Sequence, residues 1–300
     1  MTISICAYNL PARELLALAV AADELGFDSL WLGEHIVLPL GYASEHSTAG
    51  NSADHEHVKG AIVSPDTELV DPWVGLAAIS GATRQLRVAT GVYILPLRHP
   101  LLTARAACTL HEVSGGRFML GVGSGWLREE FDAFGVPFEE RGRRLDETLD
   151  VLRKAWAGGP FEHRGNLFSF GPLQVTASPA EVPIILGGNT PRALRRAALV
   201  GNGWFSSGTP TFDAARHLRD TIYALRSEHG RTEPYRCYFR VEGCDPEVIE
   251  GYRREGIDDV VIWADQLWPS APLDDQRAAL AVAGTELGLT PARSTVTSAR

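Results

Sequence analysis

Glu34 and His35 stand side by side directly after the apolar run Ser29 to Gly33. An imidazole at such a point can move a proton near neutral pH, although a histidine hydrogen-bonded there purely for stability would look the same. Two glycine runs form a second constellation: Gly121-Val122-Gly123-Ser124-Gly125, followed by Trp126, and Gly187-Gly188-Asn189. Each closes an apolar run and precedes a helical pattern, so backbone amides and a positive helix end can approach a phosphate. Tight turns alone would also call for glycine. Gly121, Gly123 and Gly125 sit two apart, which is not the dinucleotide fingerprint. Tyr93, Trp126, Trp204, Trp263 and Trp268 fall near the ends of predicted strands, where they either line a pocket for a flat ring or pack the core.

Metal binding is the other chemistry a histidine invites. His46, His55 and His57 lie in a long polar stretch, and Asp54-His55-Glu56-His57 has no ligand spacing on a defined element. No metal is expected. Arg141, Arg143, Arg144, Asp146 and Glu147 form a dense charged run that reads as a solvated or salt-bridged helix face. Cys6, Cys108, Cys237 and Cys244 make no CxxC pair or metal cluster and read as reduced thiols of a cytoplasmic protein.

The elements that must position these residues alternate strand with helix eight times. Strands are predicted at Thr2 to Tyr8, Ser29 to Gly33, Arg87 to Leu95, Arg117 to Val122, Val182 to Leu186, Gly203 to Ser207, Arg236 to Val241 and Asp259 to Trp263. The apolar positions of Ala12 to Leu25 recur at helical spacing, and Thr190-Pro191 is a good helix start. Strands with little alternation suit a parallel sheet covered on both faces, and the pattern predicts an α/β fold, a (β/α)8 TIM barrel. It carries a long loop after strand two (Glu34 to Leu69) and a small hairpin insertion around Phe161 to Phe170, after strand four. One domain over 1–290 is expected, with 291–300 a frayed tail. In such a barrel the strand C-termini hold the site, which nominates Asn9, Glu34-His35, Gly91 to Tyr93, Gly123 to Trp126, Gly187 to Asn189, Ser206-Ser207 and Asp265 by position.

Three hundred residues with 45% hydrophobic content can bury one complete barrel. A net charge of -9 gives no electrostatic reason to expect nucleic acid or an anionic membrane surface as partner. No membrane span and no leader are expected, so the reading is a cytoplasmic protein with a small-molecule substrate.

Four segments in order resemble a known family: ELGFDSLWLGEH at 24–35, LRVATGVYILPLRHPLLTAR at 86–105, SGGRFMLGVGSGWLREEFDAFGVPFEERGRRLDETLDVLRKAW at 114–156, and PIILGGNTPRALRRAALVGNGW at 183–204. They are similar to the luciferase-like flavin and coenzyme F420 oxidoreductases. The resemblance implies a (β/α)8 barrel that passes hydride between reduced deazaflavin or FMN and an organic substrate, or activates oxygen in FMN members. It implies His35 as general acid or base and Glu34 as its orienting or electrostatic partner. Gly91-Val92 resembles the family's bulge after strand three, often a non-proline cis peptide behind the isoalloxazine. Gly123, Ser124, Gly125, Gly187, Gly188, Asn189, Gly203 and Trp204 resemble its phosphate and ring contacts, with Trp126 beside them. Two departures stand out. Trp126 occupies a place where some F420 dehydrogenases carry an acid, which argues against sugar-phosphate dehydrogenation. Asn202-Gly203-Trp204 replaces the Asp-Gly-Trp of many relatives.

The reading that follows is an F420-dependent oxidoreductase whose loop from Leu38 to Leu69 closes over substrate, assembled as a homodimer through outer helices. Alternatives are an FMN-dependent monooxygenase fed by a separate flavin reductase, a non-catalytic flavin or deazaflavin carrier, and, last, a metal-dependent hydrolase.

Overall fold

The computed structural model describes residues 1–44, 67–241 and 243–291. Parallel strands β1 (Thr2–Ala7), β2 (Ser29–Leu32), β3 (Arg87–Thr90), β5 (Phe118–Gly123), β8 (Ile184–Gly187), β9 (Gly203–Phe205), β10 (Arg236–Arg240) and β11 (Asp259–Trp263) pair in that order, and β11 returns to β1. The (β/α)8 barrel expected from the alternation is therefore closed. Its helices are α1 (Ala12–Leu25), α2 (Pro72–Ala82), α3 (Pro100–Val113), α4 (Arg128–Ala133), α5 (Arg141–Trp156), α6 (Pro191–Val200), α7 (Phe212–Glu228), α8 (Pro246–Arg254), α9 (Ala264–Leu267) and α10 (Leu273–Glu286). Asp71 caps α2 through the amides of Trp73 and Val74, and Thr190 caps α6 through Ala193.

The third predicted strand is interrupted. It pairs with β2 as far as Thr90, then steps through Gly91-Val92 into the two-residue strand β4 (Tyr93–Ile94), which pairs with β5. The hairpin forms from β6 (Phe161–Arg164) and β7 (Ser169–Leu173) and is tied to α5, where Glu147 accepts from the amides of Leu167 and Phe168. Most of the long loop (45–66) and most of the tail (292–300) lie outside the described residues, as do His46, Asp54, His55, Glu56 and His57.

Two apolar layers hold the barrel. The larger lies between strands and helices, and the smaller fills the interior with Cys6, Trp31, Ala89, Met119, Ile185, Phe205, Tyr238 and Val261. Trp31 is fully buried there, with its ring centroid 4.6 Å from Phe205 and 4.7 Å from Tyr238. At the N-terminal end of the barrel Arg236 donates Nε to Asp259 at 2.9 Å, and Arg87 donates to the Tyr238 hydroxyl at 2.7 Å. Ion pairs close that end, while Val92 and Trp263 pack on the inner layer at the C-terminal end. The polar candidates gather at this second end.

Candidate functional site

Successive side chains of an extended chain point to opposite faces. That rule separates Glu34 from His35 just beyond β2. Glu34 is 6% exposed, and its Oε1 accepts from the Ile94 amide at 2.6 Å and from Arg98 Nη1 at 2.8 Å, while Oε2 accepts from Arg98 Nη2 at 2.6 Å. The Arg98 guanidinium also lies over the Tyr93 ring, 4.1 Å from its centroid. Glu34 thus ties β2 to the interrupted strand and does not orient His35. Burial pushes its carboxyl up to about 7, against the pull of Arg98 and of the Ile94 amide.

The partner of His35 comes from elsewhere. Its Nδ1 lies 2.9 Å from Oε2 of Glu130 on α4, and the Glu130 side chain is wholly buried. Oε1 of Glu130 accepts from the Ile36 amide at 2.6 Å and the Val37 amide at 3.4 Å. The carboxylate is thereby well supplied with donors. With Nδ1 engaged by a carboxylate, the proton sits on Nδ1 and Nε2 is the ring nitrogen left for a ligand, having no hydrogen-bond partner among the described residues. Trp126 meets the His35 ring edge-on at 5.9 Å and Tyr42 at 5.7 Å. At the end of β1 the Tyr8 hydroxyl is pushed up to about 12, chiefly by burial and next by Glu130, so the phenol stays protonated.

Glu129, the preceding residue on α4, accepts from the Ala43 amide and the Ser44 hydroxyl, each at 2.7 Å. Asn9 accepts from the Glu68 amide at 2.8 Å. One root of the long loop is therefore fastened to α4 and the other to the end of β1.

The Gly91–Val92 peptide bond is cis. Val92 rises between the ends of β5 and β8. A Cβ at Gly123 would lie 2.8 Å from Val92 Cγ2, and one at Gly187 would lie 3.1 Å from Val92 Cγ1. These two glycines make room for the Val92 side chain. Gly125 (φ 77°) and Gly188 (φ 113°) hold backbone conformations that side chains rarely adopt. Ser124, Gly125, Trp126, Gly187, Gly188 and Asn189 remain half-exposed. The Asn189 amide is already engaged: Nδ2 donates to the Ser207 carbonyl at 2.7 Å and Oδ1 accepts from the Ser207 amide at 2.9 Å.

Several nominated residues lie away from the mouth. Trp204 is fully buried in the layer between strands and helices, and its Nε1 donates to the Gly188 carbonyl at 2.8 Å. It braces the glycine loop from behind, packs on Phe239 and does not reach the barrel mouth. Gly203 is buried where a Cβ would meet Ile185 Cδ1 at 2.8 Å and the Arg236 carbonyl oxygen at 2.9 Å, so its role is close strand packing. Asn202 pairs with the Ile184 backbone at the start of β8, away from the strand C-termini. Asp265 is exposed at the start of α9, and Trp268 is core.

Glu130 escaped sequence reading because nothing local marks it: its partner is 95 residues away. Arg240 was legible in principle, as an arginine near the end of a predicted strand. It shares a face of β10 with Arg236 and Tyr238, and its guanidinium lies 4.6 Å from the Trp263 ring centroid and 5.6 Å from that of Phe205.

The residues present fit a flat aromatic cofactor: an apolar floor of Val92 and Trp263, a histidine with one free nitrogen, and glycine loops whose backbone can come close to a phosphate. Among the described residues no group of three or more His, Cys, Asp or Glu could hold a metal ion, and no helix is long and apolar enough to cross a membrane.

The chain resembles known proteins in both sequence and fold. The chain is 31% identical over 251 residues, covering 82% of it and 83% of the relative, to the uncharacterized protein Rv0940c of Mycobacterium tuberculosis (strain ATCC 25618 / H37Rv). Monooxygenase RslO1 from Streptomyces bottropensis shares its fold with a TM-score of 0.75 at 20% identity, over 96% of this chain and 98% of that one. The coenzyme F420 dependent tetrahydromethanopterin reductase from Methanopyrus kandleri does so with a TM-score of 0.71 at 17% identity, over 95% and 98%. The family model for luciferase-like monooxygenases matches residues 4–244, a span that takes in β2 through β10 with His35, Val92, Gly123, Glu130 and Gly187. By that match and by the shared barrel, the chain belongs to the luciferase-like monooxygenase family.

Proposed function

We propose that the chain is an oxidoreductase in which hydride passes between coenzyme F420 and a small organic substrate in the C-terminal mouth of the barrel. The observation that carries this reading is the His35–Glu130 pair, Nδ1 to Oε2 at 2.9 Å, on the strand end next to the Gly91-Val92 bulge. F420, when bound, supplies the hydride chemistry. His35 gives or takes a proton at Nε2, and Glu130 holds the tautomer that leaves Nε2 free and steadies the charge when the ring is doubly protonated. Val92 and Trp263 support the ring, and the loops at Gly123 to Gly125 and at Gly187-Gly188 receive phosphate. The Methanopyrus kandleri neighbour, itself F420 dependent, supports this choice of cofactor.

FMN in the same seat, reduced by a separate flavin reductase, is the second reading. The monooxygenase from Streptomyces bottropensis favours it. The assembly proposed with either is a homodimer, and the free cysteines Cys6, Cys108, Cys237 and Cys244 suit a reducing cytoplasm.

Titration of the purified protein with F420 and FMN, each oxidised and reduced, separates the readings. Micromolar binding of F420 alone supports the first. Preference for reduced FMN with oxygen uptake supports the second, and binding of neither removes both. His35→Ala lowers turnover by roughly 10²-fold or more while keeping cofactor affinity, and Glu130→Gln lowers it by a smaller factor. Unchanged turnover in His35→Ala would remove the acid–base role of His35, and undetectable turnover in every form would leave a cofactor carrier.

A further inference from the structure

Among the described residues the barrel interior holds three arginines, Arg87, Arg236 and Arg240, and two are neutralised. Arg236 is paired with Asp259 and Asp28, and Arg87 with the Tyr238 hydroxyl and Asp28. Both belong to the N-terminal end. Arg240, two residues beyond Tyr238 on the same face of β10, is at the mouth and has no acidic partner within salt-bridge distance among the described residues.

Its surroundings are apolar or already committed. The guanidinium lies over the rings of Trp263 and Phe205 at 4.6 and 5.6 Å. Nη2 reaches the Ser206 carbonyl at 3.4 Å, the weak end of hydrogen bonding, and the buried Nε has no partner. The backbone is held firmly, since the Arg240 amide donates to Ser206 Oγ at 2.8 Å. A guanidinium stays charged at any physiological pH, and a half-buried charge without a counter-ion is costly. A planar group with a free donor edge, braced against two rings, matches the fork geometry of a carboxylate or phosphate. On β10 it stands three places round the barrel from the strand that carries His35.

We infer that Arg240 anchors an oxyanion, a carboxylate or phosphate group, of a ligand bound in the barrel mouth. The inference rests on reading that mouth as the cofactor and substrate site. The anion belongs either to the substrate, whose reacting atom Arg240 then holds toward His35, or to the cofactor's phosphate.

Two matched ligand pairs distinguish the sources: benzoate against benzamide, and FMN against riboflavin. Each pair keeps one ring system and changes the charged group. Binding is measured by calorimetry for the full chain and for Arg240→Gln and Arg240→Lys, with thermal unfolding as a check on folding. The full chain should prefer the charged member of at least one pair by tenfold or more, and Arg240→Gln should abolish that preference. Arg240→Lys keeps the charge but loses the fork and should weaken the charged ligand at least threefold. It decides on that criterion if Arg240→Gln does not fold. A preference within the benzoate pair assigns the anion to the substrate, and one within the FMN pair assigns it to the cofactor. No preference in the full chain, or a preference that the folded variants retain, overturns the inference. Because benzoate and benzamide are titrated without cofactor, their arm stands even if neither F420 nor FMN binds.

Discussion

Glu34 and His35 are neighbours in the chain with opposite duties. Alternation sends the imidazole toward the mouth and the carboxylate toward Arg98 and the Ile94 amide, so one residue is placed for chemistry and the other for architecture. The buried carboxyl makes stability depend on pH. Its folded value, pushed up to about 7, lies above its ordinary value of 4.5, so between those values the folded chain holds a proton that the unfolded chain has released. Unfolding free energy should therefore fall as pH rises through that window, and the contribution is complete only below it. Above that window Glu34→Gln leaves Arg98 without its counter-charge and should cost about 3 kcal/mol or more, and across the window it should flatten the profile. Urea unfolding of both proteins at intervals from pH 4 to 8 measures the two slopes. An identical slope in the variant would show that another group is responsible.

At the scale of elements, the interrupted third strand and the glycine loops are a single construction. Gly123 and Gly187 are the exits of β5 and β8, and each lacks a side chain where Val92 stands. Gly123→Ala puts a methyl 2.8 Å from Val92 Cγ2 and should destabilise by about 1–3 kcal/mol. Cofactor affinity should fall with it. Val92→Ala in the same chain removes the clash, so the double variant should recover most of the stability loss caused by Gly123→Ala. A double-mutant cycle by denaturant unfolding checks this, and strictly additive costs would mean the glycine serves something other than Val92. The short helix α4 is a second such device. Its successive glutamates reach two parts of the long loop's root, Glu130 at His35 to Val37 and Glu129 at Ala43 and Ser44.

At the scale of the whole molecule, α2 is out of character for a barrel's outer helix. Its sequence PWVGLAAISGA carries no charge, and its outward positions are Val74, Ala77, Ala78, Gly81 and Ala82. Val74 is 69% exposed, and Leu102 on the adjoining α3 is 71% exposed. A helix apolar all round normally buries both faces. A second copy of the chain packed on this face is the occupant proposed here, related by the twofold symmetry usual in homodimers. Light scattering at micromolar concentration should give twice the chain mass, and Val74→Glu should shift it to the monomer. A wild-type chain that stays monomeric at every concentration tested would refute the assembly.

What was legible in the sequence was everything that depends on local order. Strand and helix alternation with glycine exits specified the closed parallel barrel, because each element's apolar pattern and its stop signals lie within about a dozen residues. The same alternation placed His35 at a strand end, and the Gly91-Val92 step fell where the third strand breaks. The tertiary structure alone decided which groups serve each other. Glu130 reaches His35 across 95 residues, Trp204 withdraws behind the Gly188 loop, and Arg240 meets two rings from neighbouring strands. Side-chain partnership is a matter of distance in the closed barrel, and closure joins residues whose separation along the chain carries no sign of it.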